Sequence, residues 1–263
     1  MKNECLKDVQ KESDSRNIYI DKVGIDDLEY PIQVMDKNNQ IQSTIAKIKM
    51  SVDLPEYLRG THMSRFLEII HEDCKLVSIV TLKKITLAML SKFNATRSAI
   101  EISFPYFIEK EAPISKAESL LPYQCRFIAE KNDDFDLILE VSTPIHTFCP
   151  CSKEISKYGG HSQRGNLIVQ VRMNHVVWIE ELVHMAESTA SAEIYPLIKR
   201  VDEKYIAESA YENPRFVEDI LREMAIRLDQ DNRISWYKIF VKNFESIHNH
   251  NVFSSIERQK EEQ

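Results

Sequence analysis

The sequence predicts an α+β fold in which antiparallel sheet carries paired helices on one face. Three observations predict it. Several stretches alternate apolar and polar residues with a period of two, as a strand with one buried face must. Others space apolar residues three and four apart, which gives a helix one buried stripe. These elements recur in the order strand, two helices, strand, once in each half of the chain, an order that suits antiparallel sheet covered on one side.

The first strand spans 44–54, where Ala46, Ile48, Met50, Val52 and Leu54 share a face. A helix near 64–73 follows on Phe66, Leu67, Ile69 and Ile70, and a second near 82–93 on Leu82, Ile85, Met89 and Phe93. A strand returns near 98–108 through Ile100, Ile102, Phe104 and Tyr106. Strands near 122–130 and 134–142 come next, the latter with Phe135, Leu137, Leu139 and Val141 on one side. The second half opens with a strand near 166–174 on Leu167, Val169, Val171 and Met173, then helical patterns near 179–190 and 193–200. Asn213-Pro214 reads as an N-cap and first-turn proline. Its helix runs to Leu228 on the stripe Val217, Ile220, Leu221, Met224 and Leu228, and a last strand spans 235–244. The expected organisation is a flexible segment 1–17, a first unit 18–142, a joining active-site loop 143–165, a second unit 166–254 and a polar tail 255–263.

The 263 residues carry 34 basic and 41 acidic side chains, a net charge of −7, which disfavours a nucleic-acid binder. A small anionic ligand needs only a local basic patch and stays open. No apolar run reaches the roughly eighteen residues of a membrane span, and residues 1–16 lack the apolar core of a secretory signal. A cytoplasmic protein without membrane contact is expected. The cysteines are Cys5, Cys74, Cys125, Cys149 and Cys151, an odd set that makes no disulfide framework. Cys74 and Cys125 read as small buried hydrophobes.

Chemistry concentrates in 143–165, where Cys149-Pro-Cys151, His161, Arg164, Lys153 and Lys157 lie together with Gly159, Gly160 and Gly165, three of the chain's five glycines. Cys149 suits either a nucleophile or a metal ligand, since both need the thiolate that nearby cations favour. In an extended stretch Cys149 and Cys151 face the same way. A second cluster is Arg200–Tyr205 and a third Phe244–His250, with His248 and His250 two apart. Cys149, Glu203 and His248 together would make a three-ligand set with an open position, the arrangement of a metal that activates water. Spacing alone supports that set weakly. Glu218 borders the buried stripe of its helix. Pattern alone favours a half-solvated surface group there over one that accepts a ligand's N–H groups in a pocket.

Taken together, these motifs resemble GTP cyclohydrolase I of type B, a bacterial family of folate synthesis. The resemblance runs from Asp21–Gly24 to Asn251. It rests on Asp53–Pro55, Gly60–Phe66, Phe104–Phe107, Cys149–Ser156, Tyr158–Arg164, Asp202–Tyr205, Ala210–Pro214, Phe216–Asp219 and Asn243–His250. The family commonly has Tyr-Gly-Ala-His-Asn-Gln-Arg-Ser where this chain reads Tyr158-Gly-Gly-His-Ser-Gln-Arg-Gly165, so positions 160, 162 and 165 depart while His161, Gln163 and Arg164 are kept. The departures would loosen the loop and remove no expected ligand.

The resemblance implies a tunnelling fold of two fused units, in a homo-oligomer, a tetramer, with active sites at subunit interfaces. It implies hydrolysis of GTP at guanine C8 to 7,8-dihydroneopterin triphosphate and formate, the first step of tetrahydrofolate synthesis. A divalent metal, Zn²⁺ or Mn²⁺ with Fe²⁺ also admissible, would be held by Cys149, Glu203 and His248, with His161 as a further ligand or proton-transfer group. Cys149 and His161 would be the catalytic pair. Glu218 would anchor the guanine edge, and Gln163, Arg164, Lys153 and Lys204, with Lys199 and Arg200, are candidates for the rest of the nucleotide. Two rivals remain at this stage. One is a tunnelling-fold nitrile reductase whose cysteine forms a thioimide, for which no nucleotide-binding match is found. The other is a non-catalytic module in which Cys149, Cys151, His248 and His250 close a structural zinc site.

Overall fold

The computed structural model describes residues 7–260, so Cys5 and the outermost parts of the expected N-terminal segment and tail lie outside the described residues. Nine strands hydrogen-bond in the order β3-β1-β2-β4-β5-β6-β7-β8-β9. The chain forms two compact units, one comprising the chain up to Phe104 with Phe127–Leu137, the other Pro105–Arg126 with the chain from Ile138 onward. The boundaries differ from the expected 18–142 and 166–254 because they fall inside strands, not at the 143–165 segment.

In the first unit β1 (Ile20–Met35) pairs antiparallel with β2 (Ile41–Leu54). The antiparallel partner on the other side of β2 is the start of β4 (Ser98–Glu111). Between β2 and β4 lie α1 (Ser64–Asp73), the two-residue β3 (Leu76–Val77) and α2 (Ile79–Phe93). The alternation read from the sequence is what buries the sheet: Ala46, Ile48, Met50, Val52, Ile100, Ile102 and Phe104 are all buried. Phe66, Ile69 and Ile70 of α1 and Leu82, Ile85 and Met89 of α2 are buried as well, whereas Leu67 faces outward. Ser78 caps α2, its hydroxyl accepting the Thr81 N–H at 3.1 Å.

Strand β1 has no counterpart in the sequence reading. Its alternation is broken by Asp21, Asp26, Asp27 and Glu29, and register shifts fall at Ile20/Val23 and Ile25/Leu28, with Asp27 at φ +55°. Gly24 lies opposite Ser51, and a Cβ there would stand 1.8 Å from the Met50 carbonyl oxygen. That oxygen is backbone of the adjoining strand and has no room to yield. Gly24→Ala is therefore expected to destabilise the protein by about 3 kcal/mol, read as a lower melting temperature or loss of soluble protein. A wild-type melting curve would refute the close approach.

Within the segment expected to be loose, the described residues are paired. A 3₁₀ turn forms at Val9–Lys11. The Gly60 N–H donates to the Gln10 carbonyl (3.1 Å), Arg59 N–H to Glu12 (3.0 Å) and Asp14 N–H to Tyr57 (3.1 Å), so backbone pairing ties residues 10–14 down.

The second unit contains the middle and end of β6 (Phe135–Phe148), much of β5 (Glu118–Lys131), and β7 (Ser162–Met173), β8 (Ile234–Asn243) and β9 (Val252–Gln259). The β6–β9 ladder is antiparallel throughout. Its buried face is Leu139, Val141, Leu167, Val169, Val171, Ile239 and Val241. The segment 143–165 is not a plain loop: it is the end of β6, the short helix α3 (Pro150–Ile155), a turn and the start of β7. β9 takes in residues 255–259 of the expected tail, and Lys260 Nζ donates to the Leu228 and Asp231 carbonyls at 2.9 and 2.8 Å. A polar edge strand of this kind is hard to see in sequence, because only Val252, Phe253 and Ile256 of its eight residues are apolar.

Three helices separate β7 from β8: α4 (Ile179–Glu187), α5 (Arg200–Glu212) and α6 (Val217–Gln230), the middle one lying after the expected 193–200. Residues 193–199 are not helical; Pro196 disfavours helix at the residue before it. Asn213-Pro214 ends α5 and does not start the next helix. α6 begins later, where Asp219 Oδ2 accepts the Phe216 N–H at 2.9 Å. The stripe Val217, Ile220, Met224 and Leu228 is buried as expected.

Asp202 sets the start of α5. Its carboxylate is buried and accepts N–H groups of Ile114 (2.9 Å), Ser115 (2.8 Å) and Lys199 (2.7 Å) and the Ser115 hydroxyl (2.5 Å). Burial alone would raise this carboxyl; the hydrogen bonds from Ser115, Lys199 and Ile114 outweigh burial and hold it far below the ordinary Asp value of 3.8. A depressed folded value means the unfolded chain takes up the proton first as pH falls. The stabilisation is complete well above pH 3.8 and drains away as pH drops toward the lower folded value. Asp202→Asn is expected to lower stability at neutral pH and to flatten the acid limb of the unfolding curve below about pH 4. A variant with the wild-type acid slope would refute this.

Candidate active site

The β6–β7 ladder sets Thr147 opposite Gln163 and Phe148 opposite Ser162. The residue after β6, Cys149, and the residue before β7, His161, are thereby neighbours although twelve positions apart. The Cys149 N–H donates to the His161 carbonyl at 3.0 Å. Pro150 starts α3 with Cys149 as N-cap, since proline has no N–H to lose at a first turn. Cys149 Sγ accepts the Ser152 N–H at 3.5 Å. The Ser152 hydroxyl donates to the Cys149 carbonyl and accepts the His161 N–H, both at 3.1 Å. Gly160 is what lets that hydroxyl in: a Cβ would stand 2.5 Å from Ser152 Oγ and 2.9 Å from Phe148 Cε1. Glycine at 160 therefore tightens this corner, contrary to the looser loop expected.

His161 Nδ1 lies 2.8 Å from Gln163 Oε1 and 3.2 Å from Ser246 Oγ, and Gln163 Nε2 donates to Thr147 Oγ1 at 3.0 Å. A cavity of about 230 Å³ opens beside these groups. Of the residues named from sequence, Cys149, His161, Gln163, Glu218 and His248 line it, as does His250. Glu218 is the second residue of α6, so the late start of that helix aims it here. The imidazoles of His248 and His250 stack with centroids 5.1 Å apart.

Other expected residues stay away. Glu203 and Lys204 are exposed on α5, and Lys204 Nζ lies 3.7 Å from Glu208. Asp202 points inward as the cap, which turns its two successors out. Arg164 alternates with buried Gln163 and is exposed on the opposite side of β7. Lys153 Nζ donates to the Tyr211 carbonyl at 2.5 Å and sits 4.3 Å above the Tyr211 ring. Lys199 and Arg200 do not line the cavity. Cys151 is exposed within α3, so it does not share a site with Cys149 as an extended strand would allow. Among the described residues no group of three or more His, Cys, Asp and Glu stands close enough to hold a metal.

Arg215, Asn243 and Glu245 line the cavity and were not singled out from sequence. Arg215 N–H donates to the Phe148 carbonyl and its Nε to Asn213 Oδ1, both at 3.0 Å. Its place in the turn after Asn213-Pro214 is the one signal that could have found it. Burial pushes the Cys74 thiol up to about 12 and raises Cys125 as well, in keeping with inert core cysteines.

A mixed α+β chain with this strand order, and a pocket of thiol, imidazole and carboxylate groups, defines a tunnelling-fold protein. Solved uricases share the fold. That of Bacillus fastidious aligns at TM-score 0.56 over 93% of this chain and 94% of its own, at 9% identity. That of Arthrobacter globiformis aligns at TM-score 0.52 over 93% and 95%, at 8% identity. The chain belongs to the type I GTP cyclohydrolase FolE2 family, whose sequence model matches residues 6–254. It is 49% identical over 261 residues to the GTP cyclohydrolase FolE2 of Geobacter sp. (strain M21), covering 99% of this chain and 98% of the relative. It is 50% identical over 252 residues to that of Fervidobacterium nodosum, covering 95% and 97%.

Proposed function

We propose that the chain is a GTP cyclohydrolase I that hydrolyses GTP at guanine C8 to 7,8-dihydroneopterin triphosphate and formate, the first step of tetrahydrofolate synthesis. The observation that carries the reading is the convergence of Cys149, His161 and Glu218 on one cavity in a chain of this family. Glu218 accepts N–H groups of the guanine edge and so fixes C8 beside the thiol and imidazole. His161 moves protons through the successive ring-opening and ring-closing steps. Arg215 is the guanidinium of the chain's own pocket, suited to a phosphate oxygen.

The donors fit a divalent metal in chemistry, thiolate and imidazole both suiting zinc and imidazole and carboxylate also manganese or iron. Cys149 and His161 are the two donors the fold ties together, with His248 on the same cavity. Glu203 lies off the cavity of its own chain, so its role as a ligand requires a second copy. A homo-oligomer, a tetramer with shared sites, is part of the proposal, and further cations for the triphosphate would come from the same source. When bound, the metal acidifies water enough to supply hydroxide near neutral pH.

The test is turnover of GTP by metal-stripped protein given Zn²⁺ or Mn²⁺ separately. Formate release with formation of a dihydroneopterin product is expected with at least one of them. No product from folded protein with either metal would overturn the reading.

A further inference from the structure

We propose that Thr147 and Gln163 are positioning residues that hold His161 in the Nδ1–H tautomer, leaving its Nε2 lone pair for the pocket. The inference rests on the proposed role of His161 and goes beyond it by naming what sets that imidazole's chemistry.

Thr147 is fully buried and its hydroxyl donates to the Gln163 carbonyl at 3.4 Å. Oγ1 in turn accepts from the Gln163 side chain, which turns its amide nitrogen to Thr147 at 3.0 Å. The amide oxygen is left facing His161 Nδ1 at 2.8 Å. An amide oxygen accepts and does not donate, so Nδ1 carries the hydrogen. The Ser246 hydroxyl, 3.2 Å from Nδ1, can share the same N–H as a second acceptor. The tautomer of an imidazole follows the bond its other nitrogen makes, and such supporting partners are worth roughly 10–100-fold in activity or metal affinity.

Two further observations agree. Thr147 and Gln163 are direct partners in the β6–β7 ladder, so the chain of bonds is fixed by strand register. Gln163 is buried with both ends of its amide engaged, by Thr147 and by His161.

The experiment uses metal-free, full-length protein labelled with ¹⁵N-histidine. Two-bond ¹H–¹⁵N correlations are recorded at about pH 8.5, where an ordinary imidazole is neutral. His161 is assigned by its loss in His161→Asn. Wild type is expected to show His161 as Nδ1–H. Gln163→Leu and Thr147→Val are expected to shift it toward Nε2–H. Gln163→Glu, which keeps an acceptor, and Thr147→Ser, which keeps the hydroxyl, are expected to restore Nδ1–H. Should Gln163→Leu fail to fold, the Thr147→Val and Thr147→Ser pair decides. In turnover, Gln163→Leu is expected to lower kcat roughly 10–100-fold with KM for GTP nearly unchanged. An Nε2–H signal in wild type, an unmoved signal in both apolar variants, or a raised KM with wild-type kcat would overturn the proposal. A wild type without GTP turnover would sink the functional reading alone, since the tautomer is read on metal-free protein.

Discussion

Replacing Cys149 with alanine is expected to cut GTP turnover by roughly 10³-fold or more, because it removes the sulfur donor that the proposed reading places at the metal beside His161. The fold should survive. The side chain of Cys149 makes one long bond, accepting the Ser152 N–H at 3.5 Å, while its backbone bond to His161 needs no thiol. The measurement is formate release beside a melting curve. Loss of activity with a wild-type melting temperature supports the assignment; an active Cys149→Ala enzyme would remove this thiol from the mechanism. Loss of both would make Cys149 a structural residue.

Glu218→Gln is expected to lower kcat/KM for GTP by about 10²–10³-fold, about 3–4 kcal/mol, the cost of removing one charged partner from a paired hydrogen-bond donor set. The loss should depend on the substrate. Inosine triphosphate lacks the exocyclic amine of guanine, so wild type should strongly prefer GTP and the variant should not. Kinetics on both nucleotides check this. An unchanged preference would move guanine recognition to another acceptor of the cavity, such as Glu245.

Both predictions use residues visible in the sequence, for different reasons. Cys149 stood out because a Cys-Pro-Cys followed by a cluster of glycines is rare chemistry at short range. Glu218 was visible as a carboxylate on the border of a helical stripe, but pattern alone favoured solvent. What aimed it inward is the start of α6 at Val217, three residues beyond the Pro214 that had been read as its first turn. Arg215 was missed for the same reason: an arginine in a turn has no periodicity, and its backbone bond to Phe148 joins segments 67 positions apart. Glu203 shows the converse. Its neighbour Asp202 took the buried cap, and a helix that buries one residue turns the next outward.

Strand β1 escaped notice because its charges and register shifts interrupt the period of two, and strand β9 because it carries few apolar residues. β2, β4, β7 and the stripes of α2 and α6 were legible because each buries a regular face against its neighbours. The sequence by itself determined the α+β class, these buried faces, the thiol corner and membership of the family, since propensity, periodicity and short motifs are properties of neighbouring residues. Only the tertiary structure decided which distant groups meet: Cys149 beside His161, Thr147 across from Gln163, Glu218 and Arg215 at the cavity, Glu203 away from it. Those meetings depend on ladder register and helix starts. A shift of one residue turns a strand side chain to the opposite face and a helix side chain by about 100°.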